Sequence, residues 1–290
     1  MTIKTGIPKT SNDIIPICPT KIVGIRDLAT VKAKTSKHQW LWRLLLVLVL
    51  GSAWYITTRA AIWPPYLVPP PSDVFDFIKI STSDGTLIGA TTTSIARAAS
   101  GFAIAALIGL PTGLLLAKVT WLDDLISPAV GGLQSLPSIC WFPLALLWFG
   151  MSEAAVLFVV VMGALFAIIL AVRSGVRNLP PLTERAGVML GARGIKLWWY
   201  VLIPASLPAI LAGMRQAWAF AWRSLMAAEL LSQSLKVGIG HVLTTGRDLN
   251  DMAMVLGTIS IILVLGLLVD RVAFRPIEAF IARRWGVDGA

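Results

Sequence analysis

Five long stretches of this chain contain no charged side chain: Leu44–Thr58, Ala98–Ala117, Leu125–Ser152, Ala154–Val172 and Met252–Val269. Runs of this kind leave few folds open. Most approach the ~20 apolar residues that cross a bilayer. In lipid every backbone N–H and C=O must find a partner within the protein, which favours helices. A sixth stretch, from Pro204 or Pro208 to about Leu231, is apolar in bulk but holds Arg215, Arg223 and Glu229. The expectation is an all-α integral membrane protein with six transmembrane helices. Composition agrees: 14% of residues are charged, against about a quarter in a soluble domain. Twelve Trp, 24 Gly and 17 Pro fit helices that use Gly and Pro freely and anchor at interfaces through Trp. Leu44–Thr58 is short, but flanking arginines that snorkel lengthen it. The long polar lead and the lack of a small-residue cleavage site make it a retained anchor.

Basic residues set the orientation, because Lys and Arg concentrate on the cytoplasmic side. With the N-terminus inside, the inner segments hold most of them, including Lys118, Arg173, Arg177, Arg185, Arg193, Lys196, Arg271, Arg275, Arg283 and Arg284. The outer loops keep Arg59, Lys79, Lys236 and Arg247, with Arg97 at a boundary. The net charge of +10 is thus topological and needs no nucleic acid. Both termini are expected in the cytoplasm. Residues 1–38 lack periodicity and read as a disordered cytoplasmic tail, and 39–286 as the membrane domain. Cys18 and Cys140 lie too far apart in sequence and setting to suggest a disulfide framework or a metal site.

One cytoplasmic stretch breaks the apolar pattern. "TERAGVMLGARGIKLWWYVLIPASLP" runs from Thr183 to Pro208, inside a connection spanning 176–203. Thr183 suits an N-cap, with Glu184 and Arg185 in the first turn. At about 100° per residue, Arg185, Arg193 and Lys196 share an arc that Ala186, Met189 and Leu190 mostly avoid. Gly191 and Gly194 disfavour a single helix, and Pro204 and Pro208 suit the start of the next. A helix, a bend and a second helix feeding a span act as a lever, unless the segment merely lies on lipid.

This stretch resembles the "EAA" signature of permease subunits in binding-protein-dependent ABC importers. The signature places Glu-Ala-Ala three residues before a Gly, with Ile-x-Leu-Pro nine residues beyond it. Counted from Gly191, the first block falls on Arg185, Ala186 and Gly187, and the last on Val201 to Pro204. Arg185 stands where the family carries Glu, and Glu184 lies one place earlier. "LQSLPSICWFPLALLWFGMSE", "LPAILAGMRQAWAFAWRSLMAAELL" and "DRVAFRPIEAFIARRW" are similar to the sulfonate, nitrate and taurine branch. The likeness covers roughly residues 65–286. It implies a type I ABC importer permease fold in a bacterial inner membrane, paired with a second copy. It also implies coupling helices gripped by separate ABC ATPase subunits that bind ATP and Mg, and an extracytoplasmic substrate-binding protein. Glu184, Arg185, Ala186, Gly187, Gly191, Ala192, Arg193 and Pro204 are the coupling residues so implied. The solute implied is a small anion, an aliphatic sulfonate first, with nitrate, taurine and bicarbonate as alternatives.

Charges inside spans are expensive and mark pathways or structural pairs. Arg215 can reach back to the inner surface. Arg223 lies ~22 Å along its span from Pro208 and needs a partner on another helix, a carbonyl or water. Arg223, with Arg97 and Glu229, is therefore a pathway candidate, alongside a purely structural pairing. Ser135, Ser138 and Trp141 are further candidates, because "SLPSICWFP" sits in a run too long for one simple span. Gly109, Pro111 and Gly113 read as close-packing residues. No phosphate-cradling G-x-x-x-x-G-K-[ST] and no H-E-x-x-H occur, so the chain is expected to be a non-catalytic subunit without its own cofactor. A carrier driven by an ion gradient is the rival, but the repeated halves of such folds are not evident.

Overall fold

The computed structural model describes residues 39–285 apart from 61, 65 and 233–235. The expected disordered tail lies outside them. Among the described residues the architecture is helical throughout. In chain order come α1 (Gln39–Arg59), α2 (Pro71–Ser83), α3 (Thr86–Lys118) and α4 (Thr120–Ser135). A 3₁₀ turn (Ser138–Trp141) leads into α5 (Phe142–Phe149), then α6 (Glu153–Arg177) and α7 (Pro181–Met189). A long helix α8 (Ile195–Leu231) follows, then α9 (Ile239–Asp248) and α10 (Met252–Val269). A π turn (Asp270–Phe274) carries α10 into α11 (Arg275–Trp285).

The most apolar helix, α6, is the axis of the fold. Ser152 caps its first turn, accepting a hydrogen bond from the Ala155 N–H at 3.4 Å, with Glu153 beside the positive end and Arg177 at the negative end. Helices α3 and α8 pack along it, enclosing Val156, Val159, Val160, Ala164, Ile168 and Val172. Small residues let the backbones approach. A Cβ added at Gly109 would meet the Ile168 side chain at 2.8 Å, and one at Gly113 the Ile169 carbonyl at 2.7 Å. On the α8 side, a Cβ at Gly163 would fall 1.9 Å from Ser224 Oγ. Gly109 and Gly113 thus have the close-packing role expected of them.

The six expected spans take an uneven form. Four helices are each long and apolar enough to cross a membrane: Thr86–Lys118, Glu153–Arg177, Ile195–Leu231 and Met252–Ile281. The long run Leu125–Ser152 is not one kinked span. Thr120–Ser135 and Ser138–Phe149 meet at 100° and pass the test of length and apolarity only together. The break falls where Pro137 forces Leu136 out of the helical region, to ψ 131. Leu44–Arg59, within α1, is a shorter apolar helix, tied to the following segment by Trp54 Nε1 donating to the Pro69 carbonyl at 3.1 Å.

Two helices begin earlier than the apolar runs. Helix α3 begins at Thr86, so Arg97 lies within it, joined by its ion pairs to the start of α6 and the end of α8. The Thr-rich first turns continue the helix because Thr92 and Thr93 return their hydroxyls to the Gly89 carbonyl, each at 2.9 Å. Helix α8 restarts at Ile195, before either proline. A wide π turn at Trp198–Leu202 immediately precedes Pro204; the proline brings no donor and crowds the carbonyl four residues back. The connection between α6 and α8 is 178–194 and holds α7 within it.

Candidate functional site

Arg97, Arg173, Arg177 and Arg215, on the long helices, are each neutralised. Arg97, buried on α3, pairs with Glu153 at the start of α6 and with Glu229 near the end of α8. Glu229 also accepts from Ser94 Oγ at 2.8 Å and from the Gly240 N–H at 2.9 Å. Ser94 in turn accepts from the Ile239 N–H, and Arg97 donates to the Lys236 carbonyl, each at 2.9 Å. One end of three helices and the start of α9 are thus knotted together. The glycines of "KVGIG" have a reason there, since a Cβ on Gly238 would fall 2.2 Å from a Glu229 carboxylate oxygen. At the opposite end of α6, Arg173 and Arg177 both pair with the buried Asp123 of α4. Arg215 on α8 pairs with Asp270 and, at 3.4 Å, with Glu278. It does not have to reach the surface for a partner, as its sequence position suggested.

Arg223 differs. Its Nε donates to the Ala219 carbonyl at 3.1 Å, one turn back on its own helix, and its guanidinium lies 4.7 Å from the centroid of the Phe220 ring. Among the described residues no carboxylate pairs with it. The side chain lines a cavity of about 460 Å³ with Ser135, Ser138, Trp141, Phe220 and Ser224. The break between α4 and α5 supplies one wall of this cavity, with residues 133–139 and Trp141, and α8 supplies another, with Phe220, Arg223, Ser224 and Ala227. The sequence candidates Arg223, Ser135, Ser138 and Trp141 therefore come together. Arg97 and Glu229 do not join them and belong to the ion knot. A second, smaller cavity of about 240 Å³ shares Arg223 with the first and has Arg215, Trp222 and Asp270 on its wall.

The elbow projects from the end of the bundle where α6 finishes and α8 begins. Helix α7 starts at Pro181 rather than at a Thr183 cap, with proline in the first turn where its missing donor costs nothing. Gly191 and Gly194 have φ of +87° and +55°, so the bend uses the left-handed region that glycine reaches without strain. Gly187 is buried: a Cβ there would meet Leu197 Cδ1 at 2.8 Å and both Val201 methyls at 3.1 Å, so α7 sits directly on the first turns of α8. The Ala192 N–H closes the bend on the Gly187 carbonyl at 3.0 Å. The expected two-sided amphipathic pattern is absent. Glu184, Arg185, Ala186 and Arg193 are exposed, but so are Met189 and Leu190, at 87% and 88%. Helix α7 is bare on every side but that of Gly187. Pro204 is half-buried within α8.

The sequence reading missed the acidic partners Asp123, Glu153, Asp270 and Glu278, whose ion pairs reach 50 or more residues along the chain. One signal was available: Phe220 precedes Arg223 by three positions, the spacing of neighbours on a helix face.

A family model for the inner membrane component of binding-protein-dependent transport systems matches residues 109–275. The chain belongs to this family. It is a permease, a transport subunit rather than an enzyme. A protein described as an ABC transporter permease of Methanocaldococcus jannaschii is 36% identical over 64% of this chain and 70% of its own length. SsuC of Bacillus subtilis, described as an aliphatic sulfonates transport permease, is 29% identical over 82% of this chain and 86% of its own. Permeases named for taurine and for bicarbonate transport also match. A chain of the inward-facing MetNI methionine ABC transporter superposes with a TM-score of 0.57 at 18% identity, covering 65% of this chain and 92% of that one. That likeness establishes the importer permease fold.

Proposed function

We propose that this permease carries a small anion, an aliphatic sulfonate in preference to nitrate, taurine or bicarbonate, along a path past Arg223. The observation that carries the reading is a cation with no acidic partner among the described residues. Setting an arginine in the apolar core costs at least ~2.5–3.5 kcal/mol, and Arg97, Arg173, Arg177 and Arg215 are each offset by a carboxylate. Arg223 faces a cavity whose lining holds no acidic side chain, so its compensation comes from what passes through. A relative named for aliphatic sulfonates supports the choice of solute.

Energy enters at the elbow. The exposed apolar residues of α7 offer a docking face to a separate ATPase subunit, which supplies the ATP and Mg that this chain has no motif to hold. Contact between Gly187 and the base of α8 passes motion from that subunit into the helix that carries Arg223. The permease works as a pair with a second copy, with both termini in the cytoplasm, and an extracytoplasmic binding protein presents the solute at the end marked by Glu153 and Glu229. The test is ATP-dependent uptake of labelled ethanesulfonate by vesicles holding the complete transporter. Uptake that follows ATP and falls with Arg223→Gln is expected. Equal uptake without ATP contradicts the reading.

A further inference from the structure

We infer that the cavity beside Arg223 is itself a weak binding site for an organic monoanion, and that this permease selects its solute rather than passing whatever is delivered. The inference rests on the anion reading above and extends it to a chemical class. Three features of the lining decide the class.

The first is charge. Arg223 is the only charged side chain among the lining residues. Its Nε is committed to the Ala219 carbonyl, which leaves the terminal nitrogens to donate to an anionic head. Ser138, on the 3₁₀ turn, also lines the cavity, whereas Ser135 Oγ spends its one hydrogen on the Gly132 carbonyl at 2.7 Å and has none to give an anion. A guanidinium and one hydroxyl suit an oxyanion head such as a sulfonate. The second is the missing counter-charge. A zwitterion brings an ammonium group that would need a carboxylate or several carbonyls once out of water, and no acidic residue lines the cavity. Taurine is therefore disfavoured against ethanesulfonate, which has the same skeleton without the amine. The third is the wall. The rest of the lining is largely apolar, with Leu136, Ile139, Trp141, Met162 and Phe166, and the Trp141 and Phe166 rings lie 6.1 Å apart between centroids, tilted by 33°. About 460 Å³ falls in the range of small-molecule pockets and is far more than a bare inorganic oxoanion fills. An alkyl tail gains by lying on that wall; nitrate and bicarbonate leave it wet.

Saturation-transfer NMR on the full chain in lipid nanodiscs tests this, with empty nanodiscs as the blank. The probes are ethanesulfonate, butane-1-sulfonate, taurine and, as competitor, nitrate. Ethanesulfonate is expected to receive saturation, with affinity rising by up to about fourfold per added methylene. Taurine is expected to bind at least about tenfold more weakly than ethanesulfonate, and nitrate to compete poorly. Arg223→Gln should lower sulfonate affinity at least about tenfold, while Trp141→Ala should flatten the dependence on chain length and leave ethanesulfonate nearly unchanged. The chain-length and taurine comparisons use the unaltered protein, so a variant that fails to fold does not weaken them. Equal binding of taurine and ethanesulfonate, no gain from ethane to butane, or no saturation at all overturns the site. Vesicle uptake separates this from the reading beneath it. Anion uptake that depends on Arg223 but treats taurine and ethanesulfonate alike sinks the selectivity and keeps the anion path. Uptake unaffected by Arg223→Gln sinks both.

Discussion

Replacing Glu229 should loosen one whole end of the molecule. Its side chain is 1% exposed and accepts from Arg97 Nη1 at 2.8 Å, from Ser94 at 2.8 Å and from the Gly240 N–H at 2.9 Å. Glu229→Leu leaves the Gly240 donor without its acceptor and removes one of two carboxylates from a buried guanidinium. Breaking a buried pair from one side costs about 3–5 kcal/mol. Arg97 keeps Glu153 and the Lys236 carbonyl, which argues for the lower end of that range. Glu229→Gln keeps the shape and one acceptor oxygen, so the loss of a charge-assisted bond, about 1.5–3 kcal/mol, is the expected scale. Unfolding of the purified protein from mixed micelles by increasing SDS, followed by circular dichroism, reads both values. The double variant Arg97→Met with Glu229→Leu should lose less than the sum of its singles, because a buried pair replaced by apolar groups is often tolerated. The reasoning is refuted if Glu229→Leu stays within about 0.5 kcal/mol of the parent, the spread of an uninvolved surface change, or if the two singles add without coupling.

Other outcomes follow from the same geometry. Asp123→Asn removes the carboxylate charge shared by Arg173 and Arg177 but keeps one acceptor oxygen, and should cost about 1.5–3 kcal/mol in the same SDS titration. Gly113→Ala puts a Cβ 2.7 Å from the Ile169 carbonyl, where backbone must give way, and should destabilise by about 1–3 kcal/mol. Gly187→Leu should separate α7 from Leu197 and Val201; in vesicles carrying the complete transporter, uptake per ATP hydrolysed is expected to fall while the protein still inserts and assembles. Gly194→Val places a β-branched residue at φ +55° and should cost about 1–2 kcal/mol in thermal unfolding.

Charge-free runs located the spans because lipid leaves a backbone so few choices. Helix ends were less legible. Arg97 looked like a boundary since charge was the ruler, yet its cost is met by Glu153 and Glu229 from other helices, and sequence does not announce which distant residues meet. The 100° turn before α5 had a visible cause in Pro137, but a proline signals a break without giving its angle. The elbow was legible from its glycines and from its place between spans. The expected apolar face was not found: the helix period sets Leu190 away from Arg185 but Met189, four residues on, on the same side, and it says nothing of whether this chain covers either. Arg223 stood out in the sequence as a charge far along a span that needs a partner. That no carboxylate among the described residues pairs with it took coordinates.

The account stands or falls on what grips α7. A photoactivatable residue placed at Met189, 87% exposed on the elbow, can be irradiated in membranes that hold the complete transporter. Adducts to a nucleotide-binding subunit, changed in yield when ATP is trapped there, are the predicted result. Adducts to lipid alone, with a yield indifferent to nucleotide, would contradict it.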